Sequence, residues 1–191
     1  MNLPNQLTLG RIILCAVLVA CMEIDAPWTG SLALVIFIVA SLTDWLDGHL
    51  ARKYHLITDL GKLLDPLADK ILISAAYIGL VSNHLAPAWI VSSIIAREFL
   101  ITGLRTLAAA KGLILAAEKL GKHKTISQIT AVIVGLALLA ARDLGYHFPL
   151  VEHVVYPALL YLALIVTFWS GGAYFWKNRQ LVLNHGSTPP T

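Results

Sequence analysis

Six apolar stretches, each close to 20 residues long, follow one another along this chain with only short polar connections between them. A hydrocarbon core about 30 Å thick takes roughly 20 residues of helix to cross, and within it every backbone N–H and C=O must be satisfied inside its own segment. The chain is therefore expected to be all-α and integral to a membrane. Of its 191 residues 58% are hydrophobic and 13% charged, against roughly 25% charged in soluble domains. The formal net charge of +3 is too small to point to nucleic acid, so none is expected as a partner. Cys15 and Cys21 both fall in the first stretch. Their spacing suits neither a disulfide framework nor a metal site, so they read as apolar filler.

Spans are expected at about 5–23, 30–50, 59–82, 88–110, 125–142 and 154–176, forming one six-helix transmembrane domain over 1–180 followed by a polar tail, 181–191. Asn2 and Pro4 suit a helix start, and Gly112 suits the end of the fourth span. Acids and Trp28, rather than a small-residue cleavage site, follow the first stretch, so it is expected to stay as a membrane helix. The connection KGLILAAEKLGKHKT is expected to hold a short interfacial helix, and the loop RDLGYHFPLVEH leads to the last span. Arg52, Lys53, Lys111, Lys119, Lys122, Lys124, Lys177 and Arg179 fall on one side, against Arg142 on the other. The positive-inside bias puts the first group in the cytoplasm, with both termini, in a multi-pass protein of the cell (inner) membrane.

Within this apolar chain, DWLDGHLARKYHLITDLGKLLDPLAD, residues 44–69, carries five aspartates. An aspartate at the centre of a membrane helix costs about 2.5 to 3.5 kcal/mol on insertion scales, but these lie near cytoplasmic span ends where water can reach. Asp44 and Asp47 are i, i+3 neighbours and Asp65 and Asp69 are i, i+4 neighbours, each pair on one helical face. Consecutive antiparallel helices would bring the faces together. Four carboxylates in one pocket need raised pKa values or cations. An all-oxygen ligand set suits hard divalent ions, Mg2+ or Mn2+, and two ions suit displacement at phosphorus. Gly48, Ala51 and Gly61 strip bulk from the same helix edges, Pro66 is expected to kink its helix, and Arg52 is placed for phosphate oxygens or serves only as a positive-inside residue. Asp59 reads as a helix N-terminal residue. The histidines read as solvated side chains.

The pattern D-x2-D-G-x2-A-R-x8-G-x3-D-x3-D, filled here by Asp44, Asp47, Gly48, Ala51, Arg52, Gly61, Asp65 and Asp69, resembles the signature of the CDP-alcohol phosphotransferases. That resemblance implies a six-helix bundle with a cytoplasm-facing polar active site, and a homodimer. It also implies that Asp44, Asp47 and Asp65 bind a metal pair, that Asp69 completes the metal site and acts as the base, and that Gly48, Ala51, Arg52 and Gly61 contact the CDP group.

The signature leaves the acceptor alcohol open. NLPNQLTLGRI, AREFLITGLR and GKHKTISQ resemble the branch of the family that joins CDP-diacylglycerol to glycerol 3-phosphate, with release of CMP. By that resemblance Arg105, Lys122 and Lys124, with Arg97, hold the acceptor phosphate, and Asn5, Thr8 and Arg11 line the cytidine side. Bland roles stand beside these: an internal pair of Arg97 with Glu98, positive-inside lysines, and helix capping by Asn5 or Thr8. Serine, an inositol phosphate or phosphatidylglycerol remain alternative acceptors. A metal- or proton-coupled transporter is a further alternative, and it predicts acids near the bilayer midplane rather than clustered at one end.

Overall fold

A computed structural model describes residues 3–24, 26–54, 59–110, 120–177 and 179, with side chains at 9–24, 26–43, 70–109, 123–177 and 179. Helix is the only regular structure among them: α1 Leu3–Glu23, α2 Thr29–Tyr54, α3 Asp59–Ser82, α4 Ala88–Ala110, α5 Leu120–Asp143 and α6 Tyr156–Lys177, the last preceded by a π-helical turn at Val151–Val155. Helices α3 and α4 coincide with the expected third and fourth spans. Helix α2 continues to Tyr54, which makes Ala51 and Arg52 helical, and α5 begins at Leu120, which places Lys122 and Lys124 in its first turns rather than in a loop ahead of it. The expected interfacial helix, together with Asn2 and Gly112, lies outside the described residues.

The π turn was not expected from the sequence, yet Pro157 supplies a cause. Proline has no N–H to offer the carbonyl four residues back, and its ring crowds that carbonyl. The chain answers by widening the turn in front of it, with the Tyr156 N–H bonding the carbonyl of Val151. Gly145, at φ 76, closes α5 at its other side: the Tyr146 N–H reaches back to the Ala141 carbonyl at 2.9 Å, a left-handed helix end that glycine adopts without strain.

Helix α1 packs against both α2 and α3, α5 against α2 and α6, and α4 against α6. Leu18, Phe37, Leu80, Val132, Leu136 and Leu160 are buried where these helices meet, while large apolar side chains such as Leu100, Ile126, Ile165 and Trp169 point outward. An outer surface this apolar matches a bilayer better than water. By length and composition, His123–Asp143 and Val151–Lys177 are each able to cross a membrane.

Small residues permit the closest helix crossings, as is usual where lipid surrounds the bundle. A Cβ on Gly30 would lie 2.8 Å from the backbone carbon of Leu139, so α2 and α5 touch backbone to backbone there. Gly30→Leu is expected to separate the two helices and cost about 1–3 kcal/mol, seen as a lower thermal midpoint of the detergent-solubilised protein. An unchanged midpoint would contradict this packing.

Candidate active site

Two contacts fix which helix ends meet. The side-chain amide of Asn83, just past α3, donates to the carbonyl of Met22 in α1 at 3.0 Å, and the Ser31 N–H of α2 donates to Asp143 at the end of α5 at 2.7 Å. The end of α1, the start of α2 and the ends of α3 and α5 therefore share one end of the bundle. The end of α2 and the start of α3, separated only by residues 55–58, share the other. Asp44, Asp47, Gly48, Ala51 and Arg52 lie on the closing turns of α2, and Gly61, Asp65 and Asp69 on the opening turns of α3, which starts at Asp59. Helix α3 runs unbroken through Pro66.

The helical register at these positions keeps Asp44 with Asp47, and Asp65 with Asp69, on common faces. The donor set is carboxylate oxygen throughout, which fits Mg2+ or Mn2+ and not a soft metal. The side chains of 44–69, and those of Asn5, Thr8 and Lys122, lie outside the described residues. Among the described residues no group of three or more His, Cys, Asp or Glu side chains could hold a metal.

The described residues among those expected to hold the acceptor phosphate are basic, and the midsection of α4 organises them. Arg97 donates from one terminal nitrogen to Glu98 at 2.9 Å and from the other to the Ser170 hydroxyl of α6 at 2.7 Å. A Cβ on Gly171 would lie 2.6 Å from Arg97 Nε, so the guanidinium crosses to α6 over a position with no side chain. Glu98 also accepts from Lys124 and from Gln128 at 3.3 Å. Gln128 in turn donates to the Thr167 hydroxyl at 2.8 Å. Of the two roles open to Arg97, the internal pair with Glu98 is made here. Two helical turns on, Arg105 donates from Nε to the Tyr174 hydroxyl at 3.2 Å and lies 5.0 Å above that ring's centroid, a cation–π contact. Arg105 itself is exposed. Arg11, on α1, is 2% exposed, deep inside the bundle.

Gln128, Thr167, Ser170, Gly171 and Tyr174 were not singled out in the sequence. A signal was present: Thr167, Ser170, Gly171 and Tyr174 recur at helical spacing along one face of an otherwise apolar segment, where polar groups need partners.

A helical bundle that carries this signature across two adjoining helix ends defines a class of membrane-bound transferases. The family model of CDP-alcohol phosphatidyltransferases matches residues 1–169, and the chain belongs to that family. A Bacillus subtilis protein named CDP-diacylglycerol–glycerol-3-phosphate 3-phosphatidyltransferase is 45% identical over 192 residues, covering 94% of this chain and 96% of its own. A Rickettsia bellii protein of the same name is 36% identical over 174 residues, covering 91% and 93%. A rice protein named cardiolipin synthase (CMP-forming) is 33% identical over 199 residues, covering 96% of this chain and 59% of its own.

Proposed function

We propose that this protein transfers the phosphatidyl group of CDP-diacylglycerol to glycerol 3-phosphate, releasing CMP and phosphatidylglycerol phosphate. The observation that carries this reading is the complete signature on adjoining ends of α2 and α3, in a chain that shares 45% of its residues with a relative named for that reaction.

Asp44, Asp47, Asp65 and Asp69 would hold a pair of divalent ions, Mg2+ or Mn2+. When bound, these neutralise the diphosphate and make its phosphorus more electrophilic. Arg52 adds a fixed positive charge beside the diphosphate. Gly48, Ala51 and Gly61 leave room for the CDP group to approach the helices, and Asn5 and Thr8 line its cytidine side. Lys122, Lys124 and Arg105 bind the acceptor phosphate, with Arg97 behind them. This orients the acceptor's free primary hydroxyl for attack in line with the leaving CMP. Asp69 takes the hydroxyl proton as the new oxygen–phosphorus bond forms. The bond from that phosphorus to the CMP oxygen breaks, and CMP leaves with the electron pair.

All six helices cross the cell membrane in this reading, and both termini and the site face the cytoplasm. Lys53, Lys124, Lys177 and Arg179 belong to the signature end of the bundle and Arg142 to the other, which is the distribution that sets such an orientation. The lipid tails stay in the bilayer while the reacting headgroup reaches cytoplasmic water. The working unit is a homodimer.

Likeness to a cardiolipin synthase favours phosphatidylglycerol as the second candidate acceptor. Purified protein given CDP-diacylglycerol, Mg2+ and one acceptor at a time (glycerol 3-phosphate, phosphatidylglycerol, serine, an inositol phosphate) separates the choices. Glycerol 3-phosphate is expected to drive CMP release at least about tenfold faster than the others, as a site built for a charged group rejects analogues without it. A preference for phosphatidylglycerol or for an uncharged acceptor would overturn the assignment.

A further inference from the structure

We propose that Glu98 is a positioning residue that sets Lys124 in place for the acceptor phosphate, an inference that rests on Lys124 being an acceptor contact. The two oxygens of Glu98 do different things. Oε1 accepts from Arg97 at 2.9 Å and from Gln128 at 3.3 Å. Both donors are tied onward to α6, Arg97 to Ser170 at 2.7 Å and Gln128 to Thr167 at 2.8 Å. Three helices therefore hold the carboxylate without help from Lys124. Oε2 is left to the Lys124 ammonium.

A pair whose task was only to join helices would be complete at Oε1. The second oxygen instead reaches the first turns of α5, at the signature end of the bundle. There Lys124 also lies within electrostatic range of Lys70, the residue after Asp69. Glu98 holds the ammonium there. An ammonium carries three N–H donors, so one spent on Glu98 leaves two for phosphate oxygens. Arg97 and Lys124 outweigh the single carboxylate, so the cluster keeps a net positive charge for an anion. With side-chain exposures of 12% and 15%, Glu98 and Lys124 are sheltered from screening but not sealed from an entering acceptor.

Steady-state kinetics of the full-length protein at saturating CDP-diacylglycerol test this, using E98Q, E98D, K124M and E98Q/K124M. E98Q frees a long side chain that the phosphate must then immobilise itself, so KM for glycerol 3-phosphate is expected to rise about three- to tenfold. The kcat and the KM for CDP-diacylglycerol stay at wild-type values. E98D, which keeps the charge on a shorter arm, falls between wild type and E98Q. K124M raises the same KM by at least about tenfold, and E98Q adds less than about twofold in the K124M background.

A loss of kcat at unchanged KM, or full additivity of E98Q and K124M, would show a structural role and overturn the proposal. If E98Q does not purify as folded protein, E98D decides: a KM equal to wild type overturns it. K124M with an unaltered KM would instead sink the acceptor reading itself.

Discussion

Asp69→Asn is expected to reduce CMP release by about 10^2- to 10^4-fold, the contribution of a positioned general base, while leaving the KM for CDP-diacylglycerol within a few-fold of wild type. The substitution keeps the size of the side chain and removes its ability to accept a proton. Asp69 is the last signature position on α3, four residues beyond Asp65 and directly before Lys70. Lys70 lies within electrostatic range of Lys124, so the part of α3 just after Asp69 is near the start of α5, as the proposed attack by a phosphorylated alcohol requires. In the proposed site the donor is held mainly by the other three acids and Arg52, so its binding is expected to survive. Wild-type turnover in this variant, measured as CMP released per enzyme, would contradict the base assignment.

Asp47→Asn is expected to fail differently. Asp47 lies three residues after Asp44 on α2 and next to Gly48, and its assigned task is to hold cations that bind the diphosphate and stabilise the departing CMP. Losing one such electrostatic contribution costs on the order of 10^2- to 10^3-fold. Here the loss is expected in both kcat and the KM for the donor, with the metal-activation curve displaced to higher Mg2+ or Mn2+. Raising the metal concentration is expected to recover part of the activity of Asp47→Asn and to leave Asp69→Asn at its reduced rate. An activation curve unchanged in Asp47→Asn would remove that residue from the metal site.

The end of α3 and the start of α4 could be read in the sequence because their apolar runs stop at Asn83, His84 and Pro87. Helix α5 was harder: its opening residues Leu120–Lys124 include polar and charged groups, so hydropathy places the start near 125 although the helix begins earlier. A helix can continue past the hydrocarbon, and the apolar pattern cannot follow it there. The aspartate signature was legible as a spacing, since i, i+3 and i, i+4 positions share a face in any helix. What organises Glu98 was not, because Gln128 reaches it from α5 with Thr167 of α6 behind, and Ser170 of α6 holds Arg97. Only packing of α4 and α5 on α6 brings them together. The π turn shows the same limit, since Pro157 marks a disturbance without stating its form.

The most direct test is the count of CMP released per phosphatidylglycerol phosphate formed by the purified protein, before and after chelation of divalent ions. The account predicts one CMP for each product lipid, dependent on glycerol 3-phosphate, abolished by chelator and restored by Mg2+ or Mn2+. Turnover that persists undiminished in chelator, or CMP released without a lipid product, would contradict it.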